Sequence, residues 1–197
     1  FVSEAMGAYV DWNPATQRVT ITAGGAGGLP AWQTTGKKRS ILYTWEYRGR
    51  TYTFGPLEIP EDEYNSILEF YRSKPHPSLV NAFYRMSTYT YTYDEDGEAI
   101  LAALVKRLKE VAEEENITGD EVVEFVIAFV QGFPYVSDSA STPYDEYTRY
   151  PIETLLEREG DCEDTALLTA VLLKELGYGS ALILMPQEGH AAVGVLG

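Results

Sequence analysis

Apolar residues recur along this chain with two periods, one of helices and one of strands, and the alternation of the two sketches the fold. From Glu98 to Glu115, Ile100, Leu104, Leu108 and Val111 fall on one stripe, the mark of an amphipathic helix. A second helix is predicted over Asp120 to Gln131, with Thr118 and Glu121 spaced as a capping box. Pro151 to Leu156 reads as a short helix. Another opens at Cys162, where Ala166, Ala170 and Leu173 share its face; Asp161 caps it and Gly177 ends it. Two apolar runs follow, Ala181 to Met185 and His190 to Leu196, and both read as strands.

The first half has the shorter period. Ile41 to Tyr47 and Thr51 to Leu57 flank the turn Arg48-Gly49-Arg50 as a hairpin, with Tyr43, Trp45, Tyr47, Tyr52 and Phe54 suited to cross-strand packing. Pro60 then opens a helix over Glu61 to Arg72, which Pro75 and Pro77 stop. Tyr89, Tyr91 and Tyr93 alternate with threonines in a further strand. At the start, Phe1 to Gly7 reads as a short helix. Val10-Asp11-Trp12, a turn over Asn13 to Thr16 and a strand over Arg18 to Ile21 come next. Ala23 to Arg39, with its glycine pairs, is a flexible linker. Gln131 to Tyr150, rich in Ser, Pro and Tyr, is a loop of a length that is usually functional or disordered. The fold class expected is α+β.

Charge narrows the partners. The net charge of −15 lies between Asp94 and Asp164, where 20 acids face 5 bases. So acidic a segment repels phosphate backbones, and nucleic acid is excluded as a partner. Such a surface aids solubility or favours a cationic substrate. No run of 18 apolar residues occurs, so no membrane span is expected.

The chemistry gathers on Cys162, the single cysteine, which allows no internal disulfide. A helix start offers free N–H groups and partial positive charge, both of which favour a thiolate. His190 opens a strand, and a thiol facing an imidazole there makes a nucleophile with its base. The Cys162 N–H, in the N-cap region of Asp161 and Cys162, serves as an oxyanion donor. Asp161, Glu163 and Asp164 act the other way, since like charge raises a thiol pKa and only a close cation such as His190 would lower it. Read as calcium ligands, these three adjacent carboxylates point apart on a helix, so no metal and no cofactor is expected. Tyr135 and Tyr147 are candidates for lining the cleft; His76, between two prolines, is structural or exposed.

Gly160-Asp161-Cys162-Glu163-Asp164-Thr165-Ala166, Leu173-Lys174-Glu175-Leu176-Gly177 and Gly189-His190-Ala191-Ala192-Val193-Gly194-Val195 together resemble the core of the transglutaminase-like superfamily, closest to its microbial and archaeal cysteine-proteinase-like branch. Phe129 to Tyr135 and Tyr150 to Leu155 fit the same branch. The resemblance implies a papain-like core, with the cysteine helix packed on an antiparallel sheet and the Tyr-rich hairpin as accessory. It implies thiol-dependent acyl transfer on protein or peptide amides, with Cys162 as nucleophile and His190 as general base. The family's third member, an Asp or equivalent on the strand after the histidine, has no counterpart before Gly197. The core over 94–197 is therefore expected to be truncated and poorly active. The alternative is a non-catalytic cell-surface binding module that keeps the fold. Residues 1–22 resemble the closing part of a copper amine oxidase N-terminal-like domain, on Phe1-Val2-Ser3-Glu4-Ala5, Val10-Asp11-Trp12 and the Pro14 hairpin. That likeness implies an extracellular or cell-surface setting. The organisation expected is thus 1–22 as this remnant, 23–39 as linker, 40–93 as accessory region and 94–197 as core.

Overall fold

The computed structural model describes residues 9–13, 18–22, 36–74, 95–141 and 147–196. The predicted helix at Phe1 to Gly7, most of the linker, Pro75, His76, Pro77 and the Tyr89 to Tyr93 strand lie outside them. The fold is α+β, as the patterning predicts. No helix among the described residues is long and apolar enough to cross a membrane.

The chain forms two compact units. The first takes residues 1–69 and 94–132. Its sheet has the order β1-β2-β4-β3, built from β1 (Tyr9–Asn13), β2 (Arg18–Thr22), β3 (Lys38–Tyr47) and β4 (Arg50–Pro60). β3 and β4 form the predicted hairpin. Along β3 every second residue is buried from Ile41 to Tyr47, the pattern of a strand with one face in a core. Trp45 stacks on Tyr52 with ring centroids 5.6 Å apart and meets Phe129 edge-on at 5.1 Å. The sequence sets residues 1–22 apart from this hairpin, yet Arg18–Ile21 pairs in parallel with Thr51–Phe54, so both strand pairs share one sheet. An edge strand's open N–H and C=O groups are the driving force for such an addition.

Helix α1 (Glu61–Arg72) follows β4 directly, with Glu61, Asp62 and Glu63 in its first turn and Arg72 in its last, as the helix dipole favours. Helices α2 (Glu95–Glu114) and α3 (Asp120–Gln131) complete the first unit, and α3 packs on β3 through Phe125 and Phe129. Only half of the predicted Thr118–Glu121 capping box is formed: the Glu121 carboxyl accepts the Thr118 N–H, and the return bond from a side chain to the helix is missing. Gly119 takes the N-cap position with φ of 57°, a left-handed geometry that glycine adopts without cost, and no side chain caps the helix.

The second unit takes residues 70–93 and 133–197. It contains the short α4 (Asp138–Ser141), α5 (Pro151–Glu157), α6 (Cys162–Glu175), β5 (Ser180–Met185) and β6 (His190–Val195). β5 and β6 pair antiparallel as a two-stranded sheet, with Met185 opposite His190 and Leu184 opposite Ala191. α6 packs against α5 on one side and against β5 and β6 on another. From Ala166 to Leu173 every residue of α6 is buried, so it is a core helix rather than an amphipathic surface one.

Candidate active site

The approach to α6 is a narrow backbone contact. The Val136 N–H donates to Gly160 O at 3.0 Å, and Tyr135 and Gly160 form a parallel bridge. Gly160 lies so close to Asp164 that a Cβ there would sit 2.7 Å from the Asp164 Cβ and 2.9 Å from its Oδ2. The missing side chain lets Asp164 fold back under the turn. Its Oδ2 accepts the Asp161 N–H at 3.3 Å, while the Asp161 side chain accepts the Asp164 N–H, a reciprocal capping box made by two aspartates. Thr165 adds its N–H and its hydroxyl to Asp161 O, at 3.2 and 2.7 Å. Asp161 thus has the capping role that the sequence predicts.

Cys162 is the first residue of α6 and is half-buried. Among the described residues, two groups hydrogen-bond its sulfur. Its thiol donates to Glu163 Oε2 at 3.2 Å, and the Ala191 backbone N–H donates to Sγ. The second contact brings β6 against the nucleophile. His190, the residue before Ala191, is exposed at the start of that strand. The sequence leads one to expect a thiol held below its usual range by the helix end and an imidazolium. Burial and the Glu163 carboxylate instead push it up to about 11, and the Ala191 amide opposes them only in part. Burial is the larger cause, and the effect of the neighbouring carboxylates, already visible in the sequence, adds to it.

Behind the thiol lies a buried charge cluster that sequence reasoning did not find. Arg149 is 1% exposed. Its Nη1 donates to Asp164 Oδ2 at 2.7 Å and Asp138 Oδ1 at 3.4 Å, and its Nε donates to Glu157 Oε2 at 2.9 Å. Its own backbone N–H reaches Asp164 Oδ1 at 2.7 Å. One arginine therefore ties the loop at Tyr147–Tyr150 to α4, α5 and the first turn of α6. Burial opposes the Arg149 cation, but Asp164 and Glu157 hold it protonated beyond its ordinary range. Burial also lifts Asp161, where the Glu163 carboxyl adds to the effect. It lifts Asp164 as well, to about 7, with the neighbouring Asp161 carboxylate adding to the effect and Arg149 opposing it.

The predicted cleft-lining tyrosines separate. Tyr135 is 72% exposed beside the Gly160 bridge. Tyr147 is buried, its hydroxyl donating to Glu153 Oε1 at 2.8 Å and its N–H to Asp138, so it packs the loop rather than lining a cleft. The carboxylates, expected to point apart, converge. Ligand atoms of Asp161, Cys162 and Glu163 lie within 4.8 Å of one another, as do those of Asp138, Asp161 and Asp164. Asp138 reaches the cluster from a helix distant in sequence, and the non-helical Asp161 turns its side chain back over the first turn, which periodicity alone does not reveal.

No curated protein matches this chain. Residues 99–196, from α2 through β6, match the family model described as a transglutaminase-like domain, and over that stretch the chain is identified as similar to the transglutaminase-like superfamily.

Proposed function

We propose that this protein carries out thiol-dependent acyl transfer on protein or peptide amides, with Cys162 as nucleophile and His190 as the group that moves its proton. The observation that supports this most is the Ala191 amide on the Cys162 sulfur, which sets the residue after His190 against the thiol. The thiol is held as S–H, so proton and bond must move together. As Sγ adds to the carboxamide carbon, the imidazole takes the thiol proton, and the Cys162 N–H receives the developing oxyanion. Collapse breaks the C–N bond, the imidazole returns the proton to the leaving amine, and a thioester remains. Water then gives deamidation or hydrolysis; an amine gives a new amide. Residues 94–197 are the catalytic segment in this reading, and the likeness of residues 1–22 to a surface module favours a secreted or cell-surface setting.

The second reading, a binding module that keeps the fold, draws on one observation: the Glu163 carboxylate and burial hold the thiol at about 11, unlike an activated cysteine. Glutamine-containing peptides separate the two. Ammonia release and amine incorporation are followed for the wild-type chain, Cys162→Ala and His190→Ala. Turnover abolished by Cys162→Ala and lowered about 10²- to 10⁴-fold by His190→Ala supports the enzyme. No turnover of any peptide by the wild-type chain, folded and with its thiol reduced, favours the binding module.

A further inference from the structure

Four acids at the start of α6 and on α4 are buried: Asp138, Asp161, Glu163 and Asp164, at 3%, 7%, 4% and 0% exposure. Arg149 answers Asp138 and Asp164. Neither Asp161 nor Glu163 has an arginine or lysine in ion-pair contact among the described residues. Among the described residues, the buried Asp161 Oδ1 has no hydrogen-bond partner. A buried oxygen without a donor or cation is costly, so the Asp161 Oδ1 marks a partner missing from this corner. The Asp161 and Glu163 carboxyls are close enough to share a hydrogen bond, and the Cys162 sulfur stands 3.2 Å from Glu163 Oε2.

We infer that Asp161, Cys162 and Glu163 form a binding site for a zinc-class divalent cation that reversibly masks the thiol. Their ligand atoms lie within 4.8 Å of one another, and a tetrahedral zinc with one sulfur and two oxygens needs them roughly 3.6 Å apart. The sulfur selects the metal. Thiolate favours zinc and cadmium over calcium and magnesium, which seek oxygen only. The all-oxygen group of Asp138, Asp161 and Asp164 is the poorer site, because the Arg149 guanidinium already occupies it. Binding forms a metal–sulfur bond and releases the thiol proton to solvent, with no change of oxidation state. The fourth position is left for water. Inhibition by the metal rests on Cys162 being the nucleophile proposed above; the binding itself does not.

Two readouts on the full 197-residue chain test it. Cadmium titration reports thiolate ligation as an ultraviolet charge-transfer band, and zinc is titrated against iodoacetamide labelling of Cys162. Micromolar zinc is expected to slow labelling at least about tenfold, millimolar calcium or magnesium to leave it unchanged, and Cys162→Ser to lose the cadmium band. Asp161→Asn and Glu163→Gln, checked for folding by circular dichroism, are each expected to weaken zinc protection about tenfold or more. If either variant fails to unfold cooperatively, Asp161→Ser or Glu163→Ala replaces it. Absence of protection, equal protection by calcium, or undiminished protection in both carboxylate variants overturns the site. Zinc protection without any turnover on peptides leaves the metal site standing and the acyl-transfer reading lost. Cys162-dependent turnover that zinc does not touch does the reverse.

Discussion

Cys162 and Glu163 are neighbours in sequence and also in hydrogen bonding, with the thiol donating to the Glu163 carboxylate at 3.2 Å. Adjacent positions on a regular helix point apart. At its first turn a side chain can still fold back along the axis, and there the contact costs the thiol its acidity. Removing the negative charge should reverse this. In Glu163→Gln the amide oxygen still accepts the thiol, and the midpoint of iodoacetamide labelling against pH should fall from about 11 towards the free-thiol value of about 8.5. An unchanged midpoint means that burial alone sets the thiol.

Arg149 should be among the most sensitive positions in the second unit. Arg149→Met leaves Asp138 and Asp164 buried without their cation, a loss on the order of 3 to 5 kcal/mol. Urea unfolding measures it. Arg149→Lys should recover only part, because an ammonium cannot reach Asp164, Asp138 and Glu157 as a guanidinium fork does. Full recovery by lysine would show that charge, not geometry, is what the site requires.

Stability should fall as pH rises through neutrality. Asp161 and Asp164 bind protons more tightly in the folded chain than in the unfolded one, whose aspartates titrate at about 3.9. Between that value and their folded ones, about 7 for Asp164, the folded state holds the extra protons. Their contribution is full below about pH 4 and is lost as pH rises through the folded values. Tm should therefore drop from pH 5 to pH 8.5, and Asp161→Asn should flatten the slope. A Tm that climbs over that range contradicts the assignment.

Gly160→Ala is expected to destabilise by about 1 to 3 kcal/mol and to lower any Cys162-dependent activity along with it. Its Cβ meets the Asp164 Cβ at 2.7 Å, an atom that cannot swing aside, so the first turn of α6 must shift. Thermal melts and labelling rates of Cys162 read the two effects together. A variant with wild-type melting shows that the turn has slack.

What the sequence revealed and what it hid differ by the range of the interaction. The α6 boundaries, the Asp161 cap and the β5–β6 pair rest on neighbours in sequence, and the spacing of Cys162, Gly177 and His190 carries them. Thr118 and Glu121 fit the capping-box spacing, but the Gly119 φ of 57° moves the N-cap one residue on and leaves only the Glu121 half of the box. Arg149 lies in a segment without hydrophobic period, so nothing marks it as buried until Asp138, Glu157 and Asp164 close round it. The sheet shared by β2 and β4 is likewise non-local, because a parallel ladder leaves no turn signature between its strands.

The burial of α6 on every side from Ala166 to Leu173 has a mechanical consequence. A rod gripped all round has no free face along which to tilt, so the sulfur at its tip is a fixed point. Across from it stands the β5–β6 pair, with Ile183 and His190 open to solvent. With the helix covered along its length and the strand pair open on one face, adjustment on meeting a substrate falls to the strands rather than to the helix.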